Sequence, residues 1–470
     1  MLKAKSRNPD IQSCYRAIPS VQELLQSGDL QAYGIAQPYL KQLIQAEIEL
    51  FREQIPREKK LSPAAIPGQL RKHIARRLER LTRRSLKRVI NATGIILHTN
   101  MGRAPLAGAA LQAIAETAEH YNNLEIDLTT GKRGQRNSHV EELLCLITGA
   151  EAAMIVNNCA AAIFLVLNSL CRRKEVPVSR GELVEIGGSF RMPDVMKAGG
   201  AKMVEIGTTN KTHLRDYENA LSPRTGALLK VHTSNFRILG FTREAGLAEL
   251  VELAHRQGLP LLYDMGSGVI EDLRQWGYPP EPVTREVLAE GVDVVTFSGD
   301  KILGGPQAGI IAGKKVFLDK IRKNHLARAL RCDKLIYAAM EATLRLYLQP
   351  ENLPEHLPVA VMLNCPVETL RRRAETVAAT AAGSGLNIAV VETFSQMGSG
   401  ALPLEQIPSI ALKITAGGIS PVRLSQRLRA NDPPIAGYVQ EDALFLNLRT
   451  IREDELPLIE TALRNLVTER

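Results

Sequence analysis

Short apolar runs alternate with longer helical patterns between residue 89 and about residue 345, and this alternation constrains the fold more than any other feature of the chain. The runs are AAMIVNN, ELVEIGG, AKMVEIG, GALLKVHT, LPLLYDMG, VDVVTFSGD and AGIIAG. Stretches of helical periodicity, such as TREAGLAELVELAHRQG, lie between most of them. Alternation of strands and helices predicts an α/β fold, in which helices cover both faces of a mostly parallel sheet.

The segments on either side of this region have different patterns. A chain of 470 residues is too long for one compact core. Residues 1–88 carry helical periodicity, for example in AYGIAQPYLKQLIQAEIELFREQI. After a Pro-rich hinge, the last part mixes helical patterns with strand patterns such as SIALKIT and DALFLNLRTI. We therefore predict a helical N-terminal segment (1–88), an α/β large domain (89–348) and an α+β small domain (349–470).

Composition excludes several classes of protein. No apolar run approaches the roughly 20 residues that a membrane-spanning helix needs, and the N-terminus MLKAKSRNPD lacks the apolar stretch of a secretory signal. The six cysteines are scattered, with no C-x-x-C pair and no nearby histidine cluster. This spacing argues against a zinc site or a disulfide framework. We expect a cytoplasmic protein without a metal.

The positive charge is concentrated in one segment. The chain has a net charge of +9, and RKHIARRLERLTRRSLKR, residues 71–88, contains nine Lys or Arg residues and one acidic residue, Glu79. Ile74, Leu78, Leu81 and Leu86 predict that this segment is an amphipathic helix. Two interpretations stay open, because the cations could form a solvated helix face between domains or a surface that follows nucleic-acid phosphates.

Polar residues follow three of the predicted strands, at the sheet edge where α/β proteins bind ligands. Asn158, Cys159 and Ala160 open a helix after MIV, and the N–H groups at a helix N-terminus can hold a phosphate. Asp264 follows LPLLY, and a carboxylate there can pair with a protonated pyridine nitrogen. Lys301 follows VDVVTFSGD, where a lysine can form a Schiff base with an aldehyde. Together they predict a pyridoxal 5'-phosphate (PLP) site.

The order of these residues indicates the aspartate-aminotransferase-like class, which is fold type I of the PLP-dependent transferases. We expect further cofactor contacts from Ser298, three residues before the lysine, and from Ser267 in DMGSG. His232, in KVHTSNF, could approach the ring or its phenolic oxygen. Phe190 is a candidate for stacking on the ring, but an ordinary core phenylalanine is an equally good interpretation.

Three long motifs resemble a known family. NATGIILHTNMGRAPL, SGDKILGGPQAG and HLARALRCDK are similar to the corresponding motifs of bacterial selenocysteine synthases, the L-seryl-tRNA(Sec) selenium transferases. IPSVQELL near the N-terminus and the C-terminal PVRLSQRLRA and DALFLNLRTI also match the layout of that family, so the resemblance covers nearly the whole chain. Cys159 stands where a third asparagine is common in the family.

The resemblance implies a function and its residues. Lys301 matches the lysine that carries the cofactor, and Arg103, Arg328 and Arg331 match the arginines that hold the selenium-donor anion. The helical N-terminal segment would grip tRNA, and the assembly would be a homodecamer. The implied reaction converts seryl-tRNA(Sec) to selenocysteyl-tRNA(Sec). The serine hydroxyl is eliminated to give aminoacrylyl-tRNA, to which selenium from selenophosphate adds.

Some alternatives remain open from the sequence. PLP folds of this type also host lyases that act on a free small amino acid, and a non-catalytic RNA-binding relative is a second alternative. Intact Lys301 and Asp264 argue against the latter. Arg328 and Arg331 could be exposed charges three residues apart on a helix. Asp300 could assist proton transfer or only orient Lys301.

Overall fold

We analysed a computed structural model that describes residues 11–57, 62–187, 190–398, 402 and 405–467. The chain divides into two compact units, Met1–Arg88 and Val89–Arg470. Within the described residues, no helix is long and apolar enough to cross a membrane.

The N-terminal unit is helical. Its helices are α1 (Ile11–Arg16), α2 (Val21–Leu25), α3 (Gly28–Gln31), α4 (Gln37–Gln54) and α5 (Ile66–Thr82). Their apolar residues recur every three or four positions, which places them on one face of each helix. The buried set forms one core and includes Leu40, Ile44, Ile48, Ile66, Leu70, Ile74 and Leu78.

The structure corrects the helix that we predicted over residues 71–88. Helix α5 ends at Thr82, and Arg83 is already extended. Ile74 and Leu78 are buried as predicted, but Leu81 and Leu86 are exposed. The prediction was wrong because it treated every leucine as part of one buried face, whereas the last buried position of the helix is Leu78.

The second unit contains four sheets in its described part. The strands are β1 (Ile90–Asn91), β2 (Ala152–Val156), β3 (Glu175–Ser179), β4 (Glu185–Ile186), β5 (Phe190–Arg191), β6 (Lys202–Ile206), β7 (Leu228–Val231), β8 (Leu261–Gly266), β9 (Val294–Ser298), β10 (Gly309–Gly313), β11 (Leu386–Ser395), β12 (Ile407–Ala416), β13 (Ile435–Ala436), β14 (Tyr438–Gln440) and β15 (Ala443–Asn447). The central sheet has the order β2-β10-β9-β8-β7-β3-β6. Strand β10 runs antiparallel to both of its neighbours, and the pairs from β9 to β6 are parallel.

Helices cover both faces of the central sheet, and this confirms the predicted α/β class. They are α6 (Gly108–Glu119), α7 (Ser138–Thr148), α8 (Cys159–Leu170), α9 (Met192–Ala198), α10 (Leu214–Asn219), α11 (Leu247–Arg256), α12 (Thr284–Ala289), α13 (Lys315–Arg322), α14 (Leu326–Ala329) and α15 (Lys334–Leu346). Successive strand residues point to opposite faces. In β8, Leu261 and Tyr263 therefore lie in one core, and Leu262 lies in the other.

Two strand predictions differ from the structure. We did not predict β3, the strand EVPVS, because Pro177 lacks the N–H that a strand inside a sheet normally donates. It lies between β7 and β6 and pairs with β6 in parallel. ELVEIGG was expected to join the central sheet, but it contributes only β4, which pairs with β5 in a separate two-stranded sheet.

The C-terminal part of this unit is an antiparallel sheet of order β11-β12-β15-β14. The remaining helices are α16 (Leu353–His356), α17 (Pro358–Asn364), α18 (Val367–Thr380), α19 (Pro421–Ala430) and α20 (Leu456–Asn465). Apolar residues of α18, α19 and α20 share one core with β12 and β15. The short strand β1, where the unit begins, pairs in parallel with β13.

Candidate active site

Lys301 lies just beyond the carboxyl end of β9. Its side chain is buried, and burial lowers the pKa of the ammonium because the charged form loses its hydration. Within the described ranges, no hydrogen bond or ion pair of Lys301 Nζ is found. A lowered pKa makes the neutral, nucleophilic form of the amine easier to reach, as a Schiff-base lysine requires.

Asp264 lies in the neighbouring strand β8, beside β9. One carboxylate oxygen, Oδ1, accepts hydrogen bonds from the Thr296 hydroxyl at 2.8 Å and the Cys159 thiol at 3.6 Å. Burial is the main cause of the raised pKa of Asp264. A cationic partner, such as a protonated ring nitrogen, would stabilise the ionised form of this buried carboxylate.

The N-terminus of α8 is the third part of the site. Asn158 caps the helix, because its side-chain oxygen accepts the N–H of Ala161 at 2.8 Å. The N–H groups of Cys159 and Ala160 have no hydrogen-bond partner among the residues that the structure describes. Gly309 of β10 passes so close that an added Cβ would lie 2.1 Å from the Asn158 carbonyl oxygen. A phosphate can therefore bind to free N–H groups at the start of a twelve-residue helix.

Cys159 interacts with Asp264 as a neutral thiol. Burial raises the pKa of this thiol well above its ordinary value, and the nearby Asp264 carboxylate raises it further. The thiol therefore stays protonated and donates to the carboxylate. Ser298, at the end of β9, is buried and also contacts this thiol. Cys159, Asp264, Ser298 and Lys301 thus meet in one place.

His232 and Ser267 lie on the loops that follow β7 and β8. The His232 backbone N–H donates to the Asp264 carbonyl at 2.9 Å, which places the histidine directly beside the carboxylate strand. Its ring atom Nε2 lies 2.8 Å from Glu281 Oε2, and Glu281 is almost fully buried. Ser267 is also buried, and its N–H donates to the Met265 carbonyl at 2.8 Å. Sequence reasoning missed Glu281, which no local pattern marks.

Arg103 is paired with the residue before the lysine. Its Nη1 donates to Asp300 Oδ2 at 2.7 Å, and the Asp300 carboxylate is nearly buried. Arg103 adopts the left-handed backbone region, with φ of 63°. The sequence left open whether Asp300 assists proton transfer or only orients Lys301. In the structure the Asp300 carboxylate is paired with the Arg103 guanidinium. The Arg103 charge lies close enough to contribute to the lowered pKa of Lys301.

Arg328 and Arg331 lie in a different place. They line a cavity of about 800 Å³, and the described lining includes none of Arg103, Asp264 and Lys301. Helix α14 ends at Ala329, so Arg331 lies beyond it and the two arginines are not a pair on one helix. The Leu330 carbonyl accepts the Asn157 N–H at 2.9 Å, which joins this region to the loop that enters α8.

Phe190 lies in the two-stranded β4–β5 sheet. It is half-buried and packs against the apolar core on one face of the central sheet. Its stacking on a cofactor ring stays a prediction.

The assembled groups fit PLP. A buried lysine with a lowered pKa suits the aldehyde, a buried carboxylate suits the ring nitrogen, and free N–H groups at a helix start suit the phosphate. The individual contacts remain predictions. Fold and family together are those of a PLP-dependent enzyme of fold type I. A family model described as SelA, L-seryl-tRNA selenium transferase, matches residues 89–452. The chain belongs to this family.

Curated relatives support the assignment across nearly the whole length. The chain is 47% identical over 461 residues to an L-seryl-tRNA(Sec) selenium transferase of Solidesulfovibrio magneticus, covering 96% of this chain and 98% of the relative. It is 45% identical over 460 residues to the protein of the same name from Nitratidesulfovibrio vulgaris, with the same coverage. A solved structure of D-glucosaminate-6-phosphate ammonia-lyase is similar in fold, with a TM-score of 0.58 and 22% identity over 83% of this chain and 97% of that one.

The predicted fold class, family and cofactor are therefore confirmed. Sequence reasoning also missed Thr296, the hydrogen-bond partner of Asp264. A signal for it was available, because Thr296 and Ser298 are polar residues two positions apart in an otherwise apolar strand. Alternation places them on the same face.

Proposed function

We propose that this enzyme converts seryl-tRNA(Sec) to selenocysteyl-tRNA(Sec), with selenophosphate as the selenium donor. The observation that carries the proposal is the 47% identity to a relative of that name over 96% of the chain. This coverage is important because the family model begins at residue 89, whereas the alignment with the relative must extend into residues 1–88.

The chain's own residues fit the proton transfers of this reaction. Bound PLP supplies an electron sink that acidifies the Cα proton of the serine. Lys301 Nζ, whose pKa burial lowers, would accept the proton from Cα. Asp264 faces the ring nitrogen and holds its positive charge. The enclosed position of both residues excludes water, so the electrostatic effect of Asp264 is larger than it would be in solution.

The remaining predicted contacts orient the cofactor. The N–H groups of Cys159 and Ala160 bind its phosphate, together with the Asn158 cap and the Ser298 hydroxyl. Ser267 is buried in the loop after Asp264 and completes this set. His232 approaches the ring through Nδ1 or its face, since Glu281 occupies Nε2.

The selenium donor is a multiply charged anion, and arginine forks suit such ligands. Following the family resemblance, we assign its binding to Arg328 and Arg331, which share a cavity, and to Arg103, which lies outside the described lining of that cavity and beside Asp300. The Arg328 backbone N–H donates to the His325 carbonyl at 3.2 Å, but its guanidinium makes no hydrogen bond or ion pair with any described residue and is available. Arg103 uses one nitrogen for Asp300 and can offer the others.

We assign tRNA binding to the N-terminal unit. Lys72, Arg76 and Arg80 are exposed and four residues apart, so they share one face of α5. Arg77, by contrast, pairs with Glu47 at 2.6 Å within the unit. A row of exposed cations suits RNA phosphates, and this supports the nucleic-acid interpretation over the solvated-face one.

Assembly and location complete the proposal. We propose a homodecamer, following the resemblance noted above, in the cytoplasm. Cys145, Cys159, Cys171, Cys332 and Cys365 are free thiols, which suits a reducing compartment. The mass of the purified particle in solution tests the assembly.

Selenium transfer tests the function directly. Purified holoenzyme is incubated with seryl-tRNA(Sec) and selenophosphate, and selenium in the aminoacyl-tRNA is measured. Free serine replaces the charged tRNA in the control, which also tests the lyase alternative. We expect selenium on tRNA and no product from free serine. Release of pyruvate and ammonia from free serine, with no selenium on tRNA, would instead establish the lyase.

A further inference from the structure

The cavity that contains Arg328 and Arg331 is strongly basic. Its lining has seven Lys or Arg side chains and only two carboxylates, Glu125 and Asp319. At about 800 Å³ it is much larger than one anion requires. The two carboxylates differ in their partners, because Asp319 pairs with Lys315 at 3.2 Å and Arg322 at 3.8 Å within its own helix α13, whereas Glu125 contacts arginines outside that helix.

Glu125 contacts three arginines at once. Its Oε1 accepts the Nε–H of Arg136 at 2.6 Å and lies 3.6 Å from Arg331 Nη1. Its Oε2 accepts from Arg133 Nη2 at 3.1 Å. The hydrogen bond from Arg136 is the main cause of the lowered pKa of Glu125, so the carboxylate is ionised at neutral pH. Both carboxylate oxygens therefore accept hydrogen bonds from guanidinium N–H groups to which an external anion would otherwise bind.

Arg136 does not depend on Glu125 for its position. Its Nη1 also donates to the Cys332 carbonyl at 2.8 Å, one residue after Arg331. The guanidinium thus stays beside the cavity if the carboxylate moves away. Glu125 itself is about one-third exposed and has room to turn toward solvent. The arginines form a preformed anion-binding site, which the Glu125 carboxylate of the same protein now occupies.

We propose that Glu125 is an internal competitor for the donor-anion site, and that an incoming phosphate-like anion must displace its carboxylate from Arg136 and Arg331. This inference rests on the proposed function for the identity of the anion, but not for the displacement. An anion can bind only to the fraction of molecules in which the carboxylate has moved away, and its apparent affinity falls by that fraction. Arg328, which is unoccupied, gives the anion an additional contact that the carboxylate lacks.

Glu125→Gln tests the displacement. The amide keeps the shape of the side chain but loses the charge, so the arginines are no longer occupied by an anion. We expect the holoenzyme variant to bind inorganic phosphate about sixfold more tightly than wild type, which corresponds to about 1 kcal/mol. Titration calorimetry at constant ionic strength measures the dissociation constants.

Asp319→Asn is the matched control. It removes one negative charge from the same cavity but leaves the Glu125 contacts in place. We expect its phosphate affinity to change less than twofold. Equal tightening in both variants would mean a general charge effect and would overturn the proposal.

Unchanged or weaker phosphate binding in Glu125→Gln would also overturn it, because Glu125 would then organise the arginines rather than compete for them. Glu125→Ala, together with thermal unfolding of each variant, guards against a folding defect in any single substitution. Phosphate binding requires no tRNA and no selenium chemistry. A tighter Glu125→Gln variant would thus stand even if selenium transfer to tRNA failed, and the two failures are distinguishable.

Discussion

The substitution Asp264→Asn tests separately how the buried carboxylate affects the stability of the protein and how it contributes to catalytic activity. The carboxylate is buried, and its hydrogen bonds come from Thr296, Cys159 and the backbone at Gly266. Asparagine has the same shape and keeps an oxygen for Thr296 and Cys159. It loses the negative charge that we assign to the cofactor ring nitrogen. Stability without cofactor and catalytic activity should therefore respond in opposite directions.

The sign of the stability change follows from the raised pKa. Stability associated with a raised pKa is fully present below the pKa of the unfolded chain and is lost as pH rises through the folded pKa. Above the folded pKa, apo wild type carries a buried charge, which costs on the order of 1–3 kcal/mol when poorly compensated. Asparagine removes this charge and gives up about 1 kcal/mol of hydrogen bonding. We expect apo Asp264→Asn to be about 1 kcal/mol more stable at pH 7.

Activity should change the other way. Removal of one electrostatic partner at a reacting centre typically lowers turnover by about 100-fold or more. We expect a loss of at least that size in selenium transfer, with PLP still bound covalently.

Urea unfolding of the apo proteins measures the stability part. Trp276 is the only tryptophan of the chain, and it packs against two of the cores of the second unit. Its fluorescence therefore follows the unfolding of the unit that contains Asp264. The stability difference should be present at pH 7 and shrink toward about pH 4, near the ordinary aspartate pKa. A variant that is less stable at pH 7, or that turns over at the wild-type rate, would refute the reasoning.

Three further results are expected. Lys301→Ala should lose the borohydride-reducible attachment of PLP, and a retained adduct would move the attachment to another lysine. Arg328→Ala and Arg331→Ala should impair selenium transfer while leaving elimination of the serine hydroxyl intact, and normal donor binding in both would return these arginines to a solvated role. Neutralising two exposed cations of α5 should weaken tRNA binding and flatten its dependence on salt by about one unit per lost phosphate contact. Those variants are Arg76→Gln and Arg80→Gln, with Arg52→Gln of α4 as the control, and an unchanged salt slope would remove the α5 face from the tRNA contacts.

The α/β class could be predicted from the sequence, and so could the edge of the sheet near which Asp264 and Lys301 lie. Strands buried on both faces read as continuous apolar runs, and most of the runs between residues 152 and 313 are strands of the central sheet. In a parallel sheet the strand ends share one edge, so Asp264, near the end of β8, and Lys301, just after β9, could be placed together. The three long motifs indicated the family to which the chain belongs.

Local patterns also had limits within the fold. Pro177 concealed β3, because a proline argues against a central strand when its neighbours are unknown. The leucines at 81 and 86 suggested a longer helix than the one that forms, since periodicity does not reveal where a core ends.

The tertiary structure was needed to show which side chains that are distant in the sequence come into contact. Arg103 and Asp300 are 197 residues apart, and His232 and Glu281 are 49 apart. Glu125 meets Arg331 in a cavity that no motif marks. Strand and helix patterns arise from periodic burial, which is local, whereas these pairs depend on how loops pack at the sheet edge. The sequence could therefore predict Lys301 and Asp264 as the lysine and the carboxylate of the site, but contacts such as Arg103–Asp300 are visible only in the folded chain.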